Sequence, residues 1–249
     1  AAARALLEAH GLPVRMLLAD VEEAATSAAQ QPARARGLRR AAARGGDLAL
    51  AQYHDDEEIA AWVDHTASQH SALAAAFHVG STHENRTVKG LRVRGRGAGP
   101  RPVIFVMCGI HAREWISPAA CIYLVNKLLT GYASQNNVTW LVDNFEWHII
   151  PLVNADGYAY TWTRNRLWRK TRRPQRAGCV GADANRNWGP KRCVEEMSRH
   201  CASPIYCGDA AFSEPSVQNV ATYLQGLKAG GAELRAFLDV HACAQAWLW

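Results

Sequence analysis

Val103-Ile-Phe-Val-Met-Cys-Gly-Ile-His111-Ala-Arg113-Glu114-Trp-Ile-Ser117-Pro118 is the stretch on which the reading of this chain turns. Val103 to Met107 is an apolar, β-branched run and predicts a buried strand. Gly109 then predicts a turn, and Ser117-Pro118 has the pattern of a helix start, with Ser at the cap and Pro at the first helical position. One imidazole and one carboxylate, His111 and Glu114, are thereby placed between the end of a strand and the start of a helix. That is where α/β folds build their sites. The His-x-x-Glu pair is too short to signify alone, and its meaning depends on what the rest of the chain supplies.

Working outward, apolar strands and amphipathic helices alternate. Asp55 to Ala76 has apolar residues at helical spacing behind the acidic start Asp55-Asp-Glu-Glu58. Thr87 to Arg94 alternates as a strand, and Pro118 to Leu129 predicts a helix. Glu146 to Leu152 predicts a strand, followed by a turn at Asn154-Ala-Asp156-Gly157. Thr161 to Gly208 reads as long polar loop, Ser213-Glu214-Pro215 as the start of a helix to about Lys228, and Leu234 to Val240 as a last strand delivering His241. The alternation predicts an α/β sheet covered on both faces. The length of 249 residues suits one domain, or one with a small appendage.

Hydrophobic residues make up 49% of the chain, enough for a sizeable core, yet no apolar run approaches a membrane span. The chain opens Ala-Ala-Ala-Arg, with no visible signal peptide, which leads to the expectation of a fragment or processed form. The net charge of +6 is concentrated in Arg34, Arg36, Arg39, Arg40 and Arg44, and again in Arg164, Arg166, Arg169, Lys170, Arg172, Arg173 and Arg176. Such clusters can bind polyanions, but a solvated connector or a processing site is the commoner use, and no nucleic-acid or membrane partner is expected.

Four of the seven cysteines (Cys179, Cys193, Cys201, Cys207) crowd into a loop-like segment, which favours disulfides and a secretory compartment. Zinc binding by these four is the rival, weakened by the lack of any Cys-x-x-Cys pair. Asn85 and Asn137 each open an Asn-x-Thr acceptor, in keeping with secretion.

Two further features complete a constellation. His241 ends an apolar strand, so two imidazoles and one carboxylate at strand ends can converge on one ion, and these ligand types suit zinc better than calcium or magnesium. Around them lie Arg113, Arg169, Asn185 and Arg186, donors suited to a carboxylate and to a developing oxyanion.

These residues carry a specific resemblance. Gly109-Ile-His111-Ala-Arg113-Glu114-Trp, Asn165-Arg-Leu-Trp-Arg169-Lys, Cys179-Val-Gly-Ala-Asp183-Ala-Asn185-Arg186-Asn187-Trp and the strand entering His241 resemble the zinc metallocarboxypeptidases of the pancreatic A/B type, over about residues 50 to 249. Carboxypeptidase A is itself the standing example of a His₂Glu zinc site, so that ligand set comes with the resemblance. The resemblance implies a mixed, mostly parallel central sheet flanked by helices, incomplete at the C-terminus. It makes residues 1–44 the end of an inhibitory pro-segment with its activation linker, and 45–249 the first two-thirds of the catalytic domain.

It further implies one zinc ion on His111, Glu114 and His241. Arg169 would act on the scissile carbonyl, Asn185 and Arg186 would grip the substrate's terminal carboxylate, and Arg113 would bind the peptide beside the bond. Bridges Cys108–Cys121, Cys179–Cys201 and Cys193–Cys207 would match the B-like branch, with Cys243 the odd cysteine. The implied protein is a secreted, extracellular zymogen, activated by a trypsin-like protease. It would remove single C-terminal residues, by analogy Arg or Lys, from peptides or proteins through a zinc-activated water.

The sequence also departs from the family. Ala242-Cys243 stands where the family usually has Ser-Tyr, and the family's general-base Glu, capping Tyr and specificity-pocket residue fall beyond Trp249. The expectation is that this chain alone binds zinc without peptidase turnover and leaves apolar sheet surface uncovered. Alternatives are a pseudoenzyme that binds peptide C-termini, a polyanion-binding basic protein, and a zinc amidohydrolase acting on acyl amino acids.

Overall fold

The structure is a computed structural model that describes residues 9, 48–97, 99–189, 193, 196–242 and 246. The pro-segment expected over residues 1–44, and Cys243, lie outside the described residues. The elements are α1 (Asp56–Gln69), β1 (Ala74–Ser81), β2 (Thr87–Val93), β3 (Val103–Cys108), α2 (Ile116–Gly131), α3 (Asn136–Asn144), β4 (Glu146–Ile150), α4 (Ala155–Thr163), α5 (Pro215–Ala229) and β5 (Leu234–Val240).

The five strands form one mixed sheet in the order β1-β2-β4-β3-β5. The pairs β3/β4 and β3/β5 are parallel, and β1/β2 and β2/β4 are antiparallel. All six residues of β3 are buried, as its unbroken apolar run requires of a strand covered on both faces. One face meets Ile59, Trp62 and Val63 of α1, Cys121, Ile122 and Val125 of α2, and Tyr158 and Trp162 of α4. On the other face, Phe105, Met107 and Ile150 pack with Val217 and Val220 of α5. At the β5 side, Leu234 and Phe237 remain 45% and 42% exposed.

Several local expectations change. Asp55 caps α1 in a reciprocal box with Glu58, but the helix stops at Gln69. The alanines from 74 onward belong to β1, held by pairing with β2 against their helical propensity. Helix α3 had no counterpart in the sequence reading. Asn154-Ala-Asp156-Gly157 is not a free turn: Asn154 caps α4, its side-chain oxygen accepting from Gly157 N at 3.0 Å. Ser117 does not cap α2, which begins at Ile116.

The long polar segment is held by buried ionic contacts and bridges. Cys179–Cys201 and Cys193–Cys207 close it, and Cys108–Cys121 ties β3 to α2. Glu214, fully buried, accepts from Thr171 Oγ1 (2.5 Å), Gln175 Nε2 (2.9 Å) and Arg173 Nε (3.4 Å). Thr171 in turn pairs its backbone N with Ala182 O, so Glu214 anchors the strap that carries both Arg169 and Asp183. Glu214→Ala strands these donors, and it should destabilise the fold by about 3 kcal/mol. A lower urea midpoint at unchanged slope checks it; an unmoved midpoint refutes it.

Candidate functional site

The site forms where β3 and β5 end side by side. Gly109 leaves β3 at φ 67°, and a Cβ there would lie 2.7 Å from Leu152 Cδ1, so the turn requires glycine. Glu114 N then bonds His111 O at 3.2 Å, curling the loop so that both side chains face the same way. Ser117 braces this turn against the neighbouring strand: its hydroxyl accepts from Gly109 N (2.8 Å) and donates to Val240 O (2.5 Å), next to His241. The Arg169 strap docks through Ala112 N to Arg169 O at 3.0 Å. Asn154 Nδ2 joins the two segments, reaching Ile110 O (3.2 Å) and Lys170 O (3.1 Å).

The fold brings His111, Glu114 and His241 together, although Glu114 and His241 are 127 positions apart in the chain. His111 Nδ1 lies 2.9 Å from Glu114 Oε1, and His241 Nδ1 lies 3.0 Å from Glu114 Oε2. One ligand atom from each of the three falls within 4.8 Å of the others. Ligand atoms around a tetrahedral zinc sit about 3.3 Å apart, so the three side chains are grouped closely enough to share one ion. The outward ring nitrogens are held by carboxylates, His111 Nε2 by Asp183 Oδ1 at 2.9 Å and His241 Nε2 by Asp239 Oδ2 at 3.0 Å. Histidines that bind metals are normally oriented in this way. The donor set fits one Zn²⁺.

The electrostatics point the same way. Burial works against the charge on Glu114, yet hydrogen bonds from His111 and His241 hold its carboxyl well below the usual range. His241 is pushed up to about 10, first by its hydrogen bond to Asp239 and then by that to Glu114, against its burial. Asp183, also opposed by burial, is held low by the His111 hydrogen bond and by Arg169. In the absence of a cation, the negative charge of the site holds a proton on His241.

Arg169 stands beside this cluster. Its Nε and Nη2 donate to Asp183 Oδ2 at 3.1 and 2.9 Å, and Nη1 is 3.6 Å from Glu114 Oε1. Asn185 Nδ2 is 3.1 Å from His241 Nε2, which sets Asn185 against the metal set, and Arg186 Nη1 donates to Asn185 O at 3.2 Å. Arg113 is exposed, and its carbonyl accepts from Arg166 Nη1 at 2.8 Å. Arg166 itself stacks on Trp115, 3.8 Å from the ring centroid.

Two residues here had no role in the sequence reading. Asp183, fully buried, links a proposed metal ligand to Arg169, and Asp239 holds the second imidazole. The available signals were slight: an acid two residues before Asn185 within an Asn/Arg run, and another two before His241, each on a segment otherwise apolar or basic.

Comparison with known proteins agrees with this geometry. The chain is 42% identical over 197 residues to zinc carboxypeptidase A 1 of Anopheles gambiae, covering 79% of this chain and 44% of that protein. It is 39% identical over 199 residues to carboxypeptidase B of Astacus astacus, covering 79% of this chain and 63% of the relative. A-named and B-named relatives are thus about equally similar, and identity does not separate the branches. The crystal structure of thrombin activatable fibrinolysis inhibitor superposes with a TM-score of 0.81 at 31% identity, over 98% of this chain and 59% of that one. The chain therefore spans about half to three-fifths of its relatives' length. The zinc carboxypeptidase family profile matches residues 59–249, and the chain belongs to that family.

Proposed function

We propose that this chain carries the metal set and carboxylate cradle of a secreted zinc metallocarboxypeptidase, made as a zymogen, that hydrolyses the last peptide bond of its substrates. The observation that carries the reading is the convergence of His111, Glu114 and His241 beside Arg169 and Asn185. A zinc ion held by those three lowers the pKa of water to about 7 and polarises a carbonyl.

The chain's own residues would do the rest. Arg169, fixed by two bonds to one carboxylate oxygen of Asp183, offers Nη1 toward the reacting carbonyl oxygen and meets the charge that develops there without reorganising. Asn185 and Arg186 bind the terminal carboxylate at a set distance from the metal point, so that only the last bond is presented. Arg113, exposed at the rim, binds the peptide next to that bond.

The three bridges support the B-like reading and, with it, preference for Arg or Lys. They also support an oxidising compartment. Asn85 and Asn137 are exposed, Asn85 in a hairpin turn at φ 63°. Expressed through a eukaryotic secretory pathway, the protein should carry glycan that peptide:N-glycosidase removes. Unchanged mobility on a gel, for both the parent and Asn85→Gln, would count against secretion by that route. The basic stretch Arg34 to Arg44 is where a trypsin-like protease would cut.

The decisive assay uses the full-length protein, treated with trypsin and offered peptides ending in Arg, Lys, Phe or Leu, with and without chelator. Chelator-sensitive release of Arg and Lys alone supports the whole reading. Release of Phe and Leu alone rejects the basic preference. Binding of C-terminal peptides without any release would instead make the protein a binding module.

A further inference from the structure

We propose that Asp239 is a positioning residue for the metal centre: it fixes the tautomer and ring orientation of His241 and, in doing so, frees Asn185 for substrate. The proposal rests on the zinc reading of His111, Glu114 and His241.

Asp239 lies on β5, two residues before His241, which directly follows the strand's end at Val240. Its carboxylate is 16% exposed and places Oδ2 3.0 Å from His241 Nε2. The same nitrogen has a second neighbour, Asn185 Nδ2, at 3.1 Å. These two neighbours are not equivalent. His241 Nδ1 faces Glu114 and the shared metal point, so a ring that gives its Nδ1 lone pair to a metal carries its one proton on Nε2. That nitrogen can then only donate. Asn185 Nδ2 is also a donor, whereas Asp239 is an acceptor. The Nε2 proton therefore goes to Asp239, and the amide hydrogens of Asn185 are left to seek another acceptor, for which a substrate carboxylate beside Arg186 is suited.

The arrangement repeats what Asp183 does for His111, whose Nε2 it accepts from at 2.9 Å. Each imidazole of the site has its own carboxylate, that of His111 from 72 residues along the chain and that of His241 from the strand that leads into it. Asp239 Oδ1 is buried with no hydrogen-bond partner, so the acid sits in the sheet at a cost that its bond to His241 offsets. Groups that orient a metal-bound histidine typically contribute 10–100-fold to affinity.

The test compares the parent chain with Asp239→Ala, Asp239→Asn and the double variant His111→Ala/His241→Ala. Zinc affinity is read by competition with a chromophoric chelator, and the ring tautomer by ¹⁵N-histidine NMR of the zinc-loaded protein. Asp239→Ala should weaken zinc binding by about 10–100-fold and let the His241 signal report mixed tautomers or coordination through Nε2. Asp239→Asn, whose amide oxygen still accepts, should restore most of the affinity and the Nε2–H form.

Parent-like affinity together with a parent-like His241 tautomer in Asp239→Ala overturns the proposal. If Asp239→Ala loses its near-UV circular dichroism, Asp239→Asn decides: Nε2–H with coordination at Nδ1 supports the role, and coordination at Nε2 overturns it. A parent chain that binds zinc no better than the double histidine variant defeats the metal reading itself, a result distinct from either.

Discussion

Glu114→Ala should abolish zinc binding, with a loss well beyond the about 10–100-fold that follows removal of a ligand's outer partner. Glu114 is the only anionic member of the set, and its two oxygens face the two imidazoles at 2.9 and 3.0 Å. Without it, two neutral rings remain, and a catalytic zinc needs three protein ligands. The substitution also removes the acceptor for Ala242 N, 3.0 Å from Oε2, so the chain just after His241 loses its tie to the β3 turn. Equilibrium dialysis with chelator competition checks this, and retention of one zinc per chain at parent affinity would refute it.

The same carboxylate governs how the metal-free chain responds to pH. Glu114 is held low in the fold, so its contribution is present above the ordinary carboxylate value and is lost as pH falls through the depressed one. His241 moves the other way, from 6.5 to about 10. Its contribution is full below about 6.5 and disappears as pH rises toward about 10. A zinc ion held by His241 Nδ1 would need that nitrogen free of its proton. Binding at neutral pH should therefore release close to one proton from His241, seen as a dependence of the calorimetric enthalpy on the buffer's ionisation enthalpy. In Glu114→Ala the alkaline loss of stability should shrink, because one of the two carboxylates that hold the proton is gone.

What could be read from the chain, and what could not, follows the range of the interactions. β3 was legible because a strand buried on both faces must be an unbroken apolar run, and Val103 to Cys108 is one. Each of His111 and His241 could be placed at a strand end by its own flanking residues. That they meet depended on β5 pairing in parallel beside β3, which only the resemblance to a family supplied. β1 was misread because the alanines at 74–76 favour helix locally, and pairing with β2 overrides them.

Ser117 and Asn154 show a different failure. Both were read by their local habits, as cap and turn, and Asn154 does cap. Their other bonds, to Val240 O and to Lys170 O, cross between segments and have no local signature. Asp183 belongs to the same class, since the imidazole it faces is 72 residues away, whereas Asp239 faces an imidazole only two residues on and its role is missed because an acid at that spacing is common without one.

Arg169→Ala, in the full-length protein, should lower kcat/KM by about 10²–10³-fold while the protein still takes up zinc. The magnitude is that of one lost oxyanion donor, about 2.7–4 kcal/mol. Arg169 does not contact the metal set as a ligand; its Nη1 approaches Glu114 Oε1 at 3.6 Å while Nε and Nη2 are committed to Asp183. The loss should appear in kcat more than in KM, since the interaction strengthens only as charge gathers on the carbonyl oxygen.

Arg169→Lys should recover little. A single ammonium cannot make the paired contacts that aim Nη1, so charge is restored without direction. The comparison also separates catalysis from folding. Arg169→Ala leaves a fully buried carboxylate with only His111 Nε2 and Asn185 N as partners, so some loss of stability accompanies it. Asp183→Asn removes the charge that needs the partner, yet leaves Arg169 and His111 less firmly aimed. If Arg169→Ala lowers the unfolding midpoint but leaves kcat intact, Arg169 serves only to neutralise Asp183. If kcat falls in Arg169→Ala and Arg169→Lys alike, with zinc content unchanged, the guanidinium acts on the substrate.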